Sequence, residues 1–512
     1  MNNRKRPAAV ALATAAVLWA AGCSASDDAV ANKQPAPAGA AVDGGTLRVG
    51  LDRPFGRLDP ADSALTSQPM LLLANSLFDP LMVNDKDGQV RPYLAKSFTP
   101  NADASSWTLD LRDGVKFANG RPLDARAVID HVQRLAKPES KCPCAVDAAT
   151  IAGMTASSPT SVRIDLKNPD AALPNLFTRA LGYIATAPTD SSPPVGSGPF
   201  TVEQSQPGVS VTVTRNPGYW GDKPHVDKVV YRVLPDADSR YQSVRSGDVD
   251  LIWAETPNHL RQSGTDGLRT ATALGATSTT IFNTKVAPFD DPRVRRAMQY
   301  TIDRATLAKV VTLDQGKPAD GPLVSTAPYR SATPYPAPDP AKARQLLAEV
   351  GAPVRFDYLV PTQPEAQQRA TVLQQMLGDV GIHMTIKPLD VPTYLSTLYQ
   401  RQFQVADFTT SAFGDPSTGL NMFFGAGSPT NFAGFADPAL DTALATGRGA
   451  LDPARRGAAY ADAGRVLVEQ APALFLTENR VGFIAAAKVG GLPDLAGRSV
   501  VNVSPAALWV TR

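Results

Sequence analysis

Apolar and polar positions alternate with a period of two in a series of short runs, and each run predicts a strand. Thr46–Leu51 is the first. Trp107, Leu109 and Leu111 then alternate with Thr108, Asp110 and Arg112 before an Arg-Asp-Gly turn and Val115-Lys116-Phe117, which predicts a hairpin. Val162/Ile164/Leu166, Val209/Val211/Val213, Val229/Tyr231/Val233, 249–253 and 279–283 continue the series. Elsewhere the period lengthens. Asp124 caps a predicted helix whose Val128, Ile129, Val132 and Leu135 share one face, and which ends before Pro138. Beyond residue 284, helices are expected to open on Asp-Pro at 291–292, 339–340, 437–438 and 452–453, with the acid as cap and the proline as first helical residue. A helix over 365–380 stops at Gly381 and feeds the alternating strand Ile382/Met384/Ile386. Strands and helices interleave throughout, so the expected class is α/β with mixed sheets.

Composition narrows the function. The 512 residues are 43% hydrophobic and 19% charged, which suits a folded body with a sizeable core. Fifty Lys and Arg nearly balance 48 Asp and Glu, so the basic footprint of a nucleic-acid binder is missing. Three Cys and four His leave little material for a metal cage, and His131, His225, His259 and His383 show no ligand spacing; surface or turn positions are expected for them. No metal and no cofactor is expected. Cys142-Pro143-Cys144 leaves two readings open, a local disulfide and a pair oxidised by an outside partner. There is no G-x-S-x-G, S-x-x-K, H-E-x-x-H or P-loop, so an enzyme would need a nucleophile and base assembled by the fold alone. Catalysis is not expected.

The amino terminus gives an address. Arg4, Lys5 and Arg6 precede an apolar stretch at 8–21, the layout of a signal peptide over residues 1–22. Ala20-Ala21-Gly22-Cys23 resembles a bacterial lipobox, with Ala20 where that pattern usually has Leu. Lipidation of Cys23 would hold the body on the outer face of the cytoplasmic membrane, at about 0.8 kcal/mol per buried methylene. Residues 23–43, rich in small residues and Pro, read as the lipidated Cys and a flexible tether.

Motifs through the rest of the chain carry a resemblance. The segment 77–135, the pair Gly196-Ser197-Gly198-Pro199-Phe200 and Arg215-Asn216-Pro217-Gly218-Tyr219-Trp220, Ser246-Gly247-Asp248-Val249-Asp250, Phe282-Asn283-Thr284, 289–297 and 339–349 occur in the order found in one family. They resemble the family 5 extracytoplasmic solute-binding proteins, the dipeptide, oligopeptide and nickel-binding lipoproteins of ABC transporters. The resemblance implies a two-lobed periplasmic-binding-protein-like (type II) fold with a hinged cleft. Lobe I is expected at 44–75, 197–283 and 480–512, with a subdomain inserted at 76–196, and lobe II at 284–479. The implied role is capture of a short peptide or peptide-like solute by hinge closure and delivery to permease subunits driven by cytoplasmic ATPases, with the chain acting as a monomer. Two alternatives share the fold: capture of an opine, saccharide or chelated metal, and ligand sensing without import.

The resemblance also suggests where solute is held. In peptide-binding relatives an acid within W-x-x-D-x-x-D-P meets the α-ammonium. Here 410–416 puts Ala412 at that position and Asp415 on the Asp-Pro, so Asp415 or Asp407 would have to substitute. Trp253, at the end of a predicted strand, is a candidate stacking surface, and Asn283, Phe413, Asn421 and Asn431 are further candidates. The competing role for Asp415 is a helix cap, and for Trp253 core packing.

Overall fold

The computed structural model describes residues 39–85, 87–189, 193–330, 335–411, 414–498 and 501–511, all within the unit Gln34–Arg512. Local signals place the helices well. Asp124 accepts from the Ala127 amide to cap Ala125–Ala136. Asp291, Asp339, Asp437 and Asp452 cap Pro292–Thr301, Pro340–Val350, Pro438–Gly449 and Pro453–Gln470 in the same way. The cap oxygen satisfies a donor that the first helical turn leaves free.

The expected hairpin at 107–117 does not form. Ser106–Leu111 pairs instead with the earlier strand Ala95–Pro100 on one side and with Ser161–Leu166 on the other. Both edges of that strand are therefore filled. The turn sends Val115 and Phe117 inward, where they pack in a core with Trp107, Val128, Val132 and Ile164. Ile151–Ser158 completes this four-stranded antiparallel sheet.

The larger sheet is mixed. From one edge its order is His383–Leu389, Arg355–Pro361, Val405–Ser411, Arg269–Phe282, Ala473–Ala485, Leu251–Ala254, Thr46–Leu51, Lys228–Val233, Ser210–Arg215 and Phe200–Gln206. Its two central strands, Arg269–Phe282 and Ala473–Ala485, run antiparallel along most of their length, with register shifts at Leu274/Ala276 and Ser278/Thr279. Each serves more than one core. Ala271, Ala273, Val481 and Phe483 pack with Leu47, Val229 and Trp253, whereas Phe282, Leu474 and Leu476 pack with Val294, Leu373 and Val405. Two long crossing strands thus tie together bodies whose side chains pack separately.

The motifs turn out to be joinery. Asp250 accepts from Arg48 at 2.7 Å and from Lys488 at 2.9 Å, and Gly247, at φ 82°, ends the preceding helix. Asn283 donates its side-chain amide to the carbonyls of Arg401 and Phe403. In Gly196-Ser197-Gly198, an added Cβ at Gly196 would stand 2.2 Å from the Leu77 carbonyl oxygen, and one at Gly198 would stand 2.5 Å from the Leu77 carbonyl carbon. Backbone cannot yield as a side chain can. Gly198→Ala is therefore expected to lower the unfolding free energy by about 1–3 kcal/mol. A denaturant midpoint unchanged from the parent would show that the contact relaxes freely.

Cys142 and Cys144 are joined in a disulfide, which settles the open pair in favour of a local bond. Two histidines depart from the expected surface positions. His131 lies in the core between the Ala180 carbonyl and the Ala185 amide, and burial pushes its pKa down to about 4. His259 stacks on Tyr241 and meets Asp238 at 2.8 Å. Their helices carry them inward, a placement that residue type alone does not reveal. Among the described residues no group of three metal-ligating side chains occurs, and no helix is long and apolar enough to cross a membrane.

Candidate functional site

A cavity of about 330 Å³ lies beside the crossing strands. Its volume falls at the lower end of the roughly 300–1,000 Å³ typical of small-molecule sites. Trp253, Ala276 and Val481 come from the large sheet, and Glu255 from the residues just beyond the end of the Leu251–Ala254 strand. Arg53, Ser67 and Gln68 form a second wall, Asn84, Thr178, Arg179 and Tyr183 a third, and Thr409 closes the far side. Residues from 53 to 502 meet in one hollow.

Trp253 is 2% exposed and packs edge-on against Phe483, with ring centroids 5.5 Å apart. It is both a core residue and part of the cavity wall. Its indole N–H points to Glu255 Oε2 at a long 3.4 Å. Glu255 stays exposed to water in the cleft, yet the walls crowd it enough that desolvation, with Asp52 nearby, raises its pKa above the ordinary carboxylate value. Arg53 is engaged by Asp52 at 2.6 Å. Desolvation lowers the Arg179 pKa, with Asp147 pulling the other way. A guanidinium starts so far above neutrality that it remains a full cation. Tyr183 donates to Asn75 at 2.7 Å, and Asn75 donates in turn to Asn502 on the cavity wall.

Among the described residues, two buried side-chain atoms of wall residues, Gln68 Nε2 and Asn84 Oδ1, have no hydrogen-bond partner. Buried polar atoms are seldom left so.

The sequence-selected residues are not all brought together. Trp253 lines the cavity. Asp415 caps Pro416–Phe424 and, buried, holds Arg456 at 2.6 Å. Asp407 is held by Arg369 through two bonds of 2.6 and 2.7 Å. Asn421 donates to the Ser417 carbonyl within its own helix, and Asn431 to the Phe435 carbonyl at 2.8 Å. Asn283 is engaged by the Arg401 and Phe403 carbonyls. Phe413, Ala412 and Cys23 lie outside the described residues. Asp415 does line a second hollow with Thr277, Thr410 and Phe423, but at about 30 Å³ it is too small for a peptide.

Sequence reasoning passed over Arg53, Gln68, Asn84, Arg179 and Glu255. Only Glu255 left a local trace: two residues after Trp253 in an extended run, it falls on the same face.

The segment 169–175 touches the helices Pro438–Gly449 and Pro416–Phe424. Asp170 pairs with Arg448 at 2.8 Å, the Ala171 amide donates to the Arg448 carbonyl, and Asn175 donates to Thr418 Oγ1 at 2.8 Å.

Comparison with known proteins agrees with this geometry. The glutathione-binding protein GsiB of Salmonella paratyphi A is 28% identical over 449 residues, covering 82% of this chain and 86% of its own. Among solved structures, NikA from Brucella suis in complex with Fe(III)-EDTA superposes with a TM-score of 0.80 at 24% identity, covering 91% of this chain and 100% of that one. DppA from Helicobacter pylori in complex with peptide STSA gives 0.78 at 21%, covering 92% and 99%. The fold is that of a type II periplasmic binding protein. Residues 89–431, well over half the chain, match the family described as bacterial extracellular solute-binding proteins, family 5 (middle). With its motifs, its fold and its walled cavity in agreement, the chain belongs to the family 5 solute-binding proteins of ABC importers.

Proposed function

We propose that this chain captures a short peptide or peptide-like solute and presents it to the permease and ATPase subunits of an importer, with no bond made or broken. Cys23 is the lipid anchor in this reading, and 23–43 the tether that leaves the body free on the extracytoplasmic side. Lobe I comprises 44–75, 197–283 and 480–512 with 76–196 inserted, and 284–479 forms lobe II. Solute that touches both sides stabilises the closed arrangement by its differential affinity.

One observation carries the peptide reading. The 330 Å³ hollow is lined by the guanidinium-bearing Arg53 and Arg179, the carboxylate-bearing Glu255, and the amide-bearing Gln68, Asn84 and Asn502. A short peptide presents the matching set: two charged ends and amide groups between them. The 28% identical relative named as glutathione-binding, glutathione being itself a tripeptide, supports the same class.

Thermal unfolding of the full-length chain with di- and tripeptides, glutathione included, tests it. A bound solute at a hundred times its dissociation constant is expected to add about 2.7 kcal/mol of stability. A saccharide, opine or metal chelate that raises the melting temperature while every peptide leaves it unmoved would overturn the peptide assignment.

A further inference from the structure

We propose that Glu255 is the anchor for a free amino group on the captured solute; this rests on the peptide reading and narrows it to peptides with an unblocked amino terminus. The other two acids suited to that task are already engaged. Asp407 is closed off by Arg369 and by the Tyr358 hydroxyl at 3.1 Å, and Asp415 by Arg456 and the amide of Ser417. Both are buried behind a paired arginine, at 3% and 8% exposure, and carry their counter-charge already.

Glu255 is the one carboxylate on the described walls of the cavity. Its neighbours are spoken for. Arg53 gives its Nε and Nη2 to Asp52, and Arg240 is turned onto the carbonyls of Leu234, Pro235 and Trp253. The one hydrogen bond to Glu255 among the described residues is the 3.4 Å contact from Trp253. A carboxylate can accept about four hydrogen bonds, so most of its capacity faces the hollow. An ammonium group, with three donors and a full charge, fits that deficit. The side chains of Gln68, Asn84 and Asn502, all amides, belong to residues that line the same hollow. Crowding by the cavity walls raises the carboxyl's proton affinity, and a bound cation relieves that cost.

The test is calorimetric. The tightest-binding member of the di- and tripeptide panel and its N-acetylated form are titrated into the full-length chain and into Glu255→Gln. The parent is expected to favour the free amine by roughly 30-fold, since truncating one partner of a desolvated charge pair costs at least that much affinity. Glu255→Gln is expected to bind both forms alike, with its ligand-free melting temperature no lower than the parent's because it removes a desolvated charge. If the parent binds both forms equally, or if Glu255→Gln keeps the preference, the anchor is overturned and the peptide reading stands. If no peptide binds the parent, both fall together.

Discussion

Asp407→Ala is expected to lower the unfolding free energy by about 3–5 kcal/mol, because it leaves the Arg369 guanidinium buried without its counter-charge. Both side chains are less than a tenth exposed. Asp407 accepts from Arg369 Nε at 2.7 Å and Nη2 at 2.6 Å, and from the Tyr358 hydroxyl, which also meets Thr280. Removing the acid therefore strands a cation and leaves a buried phenol short of an acceptor. For a chain this size, with unfolding entropy near 2 cal/mol/K per residue, the loss corresponds to a melting shift of a few degrees. Asp415→Ala is expected to behave likewise, since it strands Arg456 and also removes a helix cap. Two controls separate this account from a role in holding solute. The double change Arg369→Met with Asp407→Leu should recover most of the loss, because a well-packed apolar pair can replace a buried ion pair. Well below its melting temperature, Asp407→Ala should bind peptide as the parent does. A variant that melts normally and loses only binding would refute the structural assignment.

These pairs also mark where sequence reading stops. Asp291 and Asp452 were legible because a cap acts on amides two or three residues away, so the chemistry and its signal lie together. Asp407 and Arg369 are 38 residues apart, and what brings them together is the packing of Pro364–Gly378 on the sheet, which no local pattern encodes. Most of the length of the crossing strands was hidden for a different reason. Arg269–Phe282 is largely Ala, Thr and Gly, and from Gly275 onward every position in it is buried, so only its end, within the run 279–283, was legible as a strand, and the rest lacks the apolar–polar alternation by which half-exposed strands announce themselves. The family motifs were fully legible, yet they fix joints such as Gly198 on Leu77 and Asp250 on Arg48; the cavity is lined mainly by residues outside them. A scaffold can be read from motifs while its specificity sits between them.

Asp79 supplies the second large expectation, a stability that falls as pH rises. It is 1% exposed and accepts from Trp220 Nε1 at 2.6 Å, Ser197 Oγ at 3.0 Å and the Tyr219 hydroxyl at 3.2 Å. Burial pushes its pKa up to about 7, and those three hydrogen bonds only partly oppose it. In the unfolded chain the same group titrates near 4. Between about pH 4 and 7 the folded state therefore holds a proton that the unfolded state has released. Folding takes up that proton, so stability is highest below pH 4 and declines up to pH 7, above which this group adds no further slope. The full span is about 4 kcal/mol from the difference in pKa. Asp79→Asn mimics the protonated acid: the amide oxygen can accept from Trp220 and Ser197, while the amide nitrogen can donate to the Tyr219 oxygen, which meets Tyr93 at 3.0 Å. The variant is expected to match the parent near pH 4 and to exceed it by up to about 4 kcal/mol at pH 8. Subtracting one pH profile from the other cancels carboxylates such as Asp250, whose pKa is lowered and whose contribution runs the opposite way. A difference that stays flat from about pH 4.5 to 7.5 would mean that Asp79 keeps its charge in the folded core, held there by Trp220 and its two hydroxyl donors.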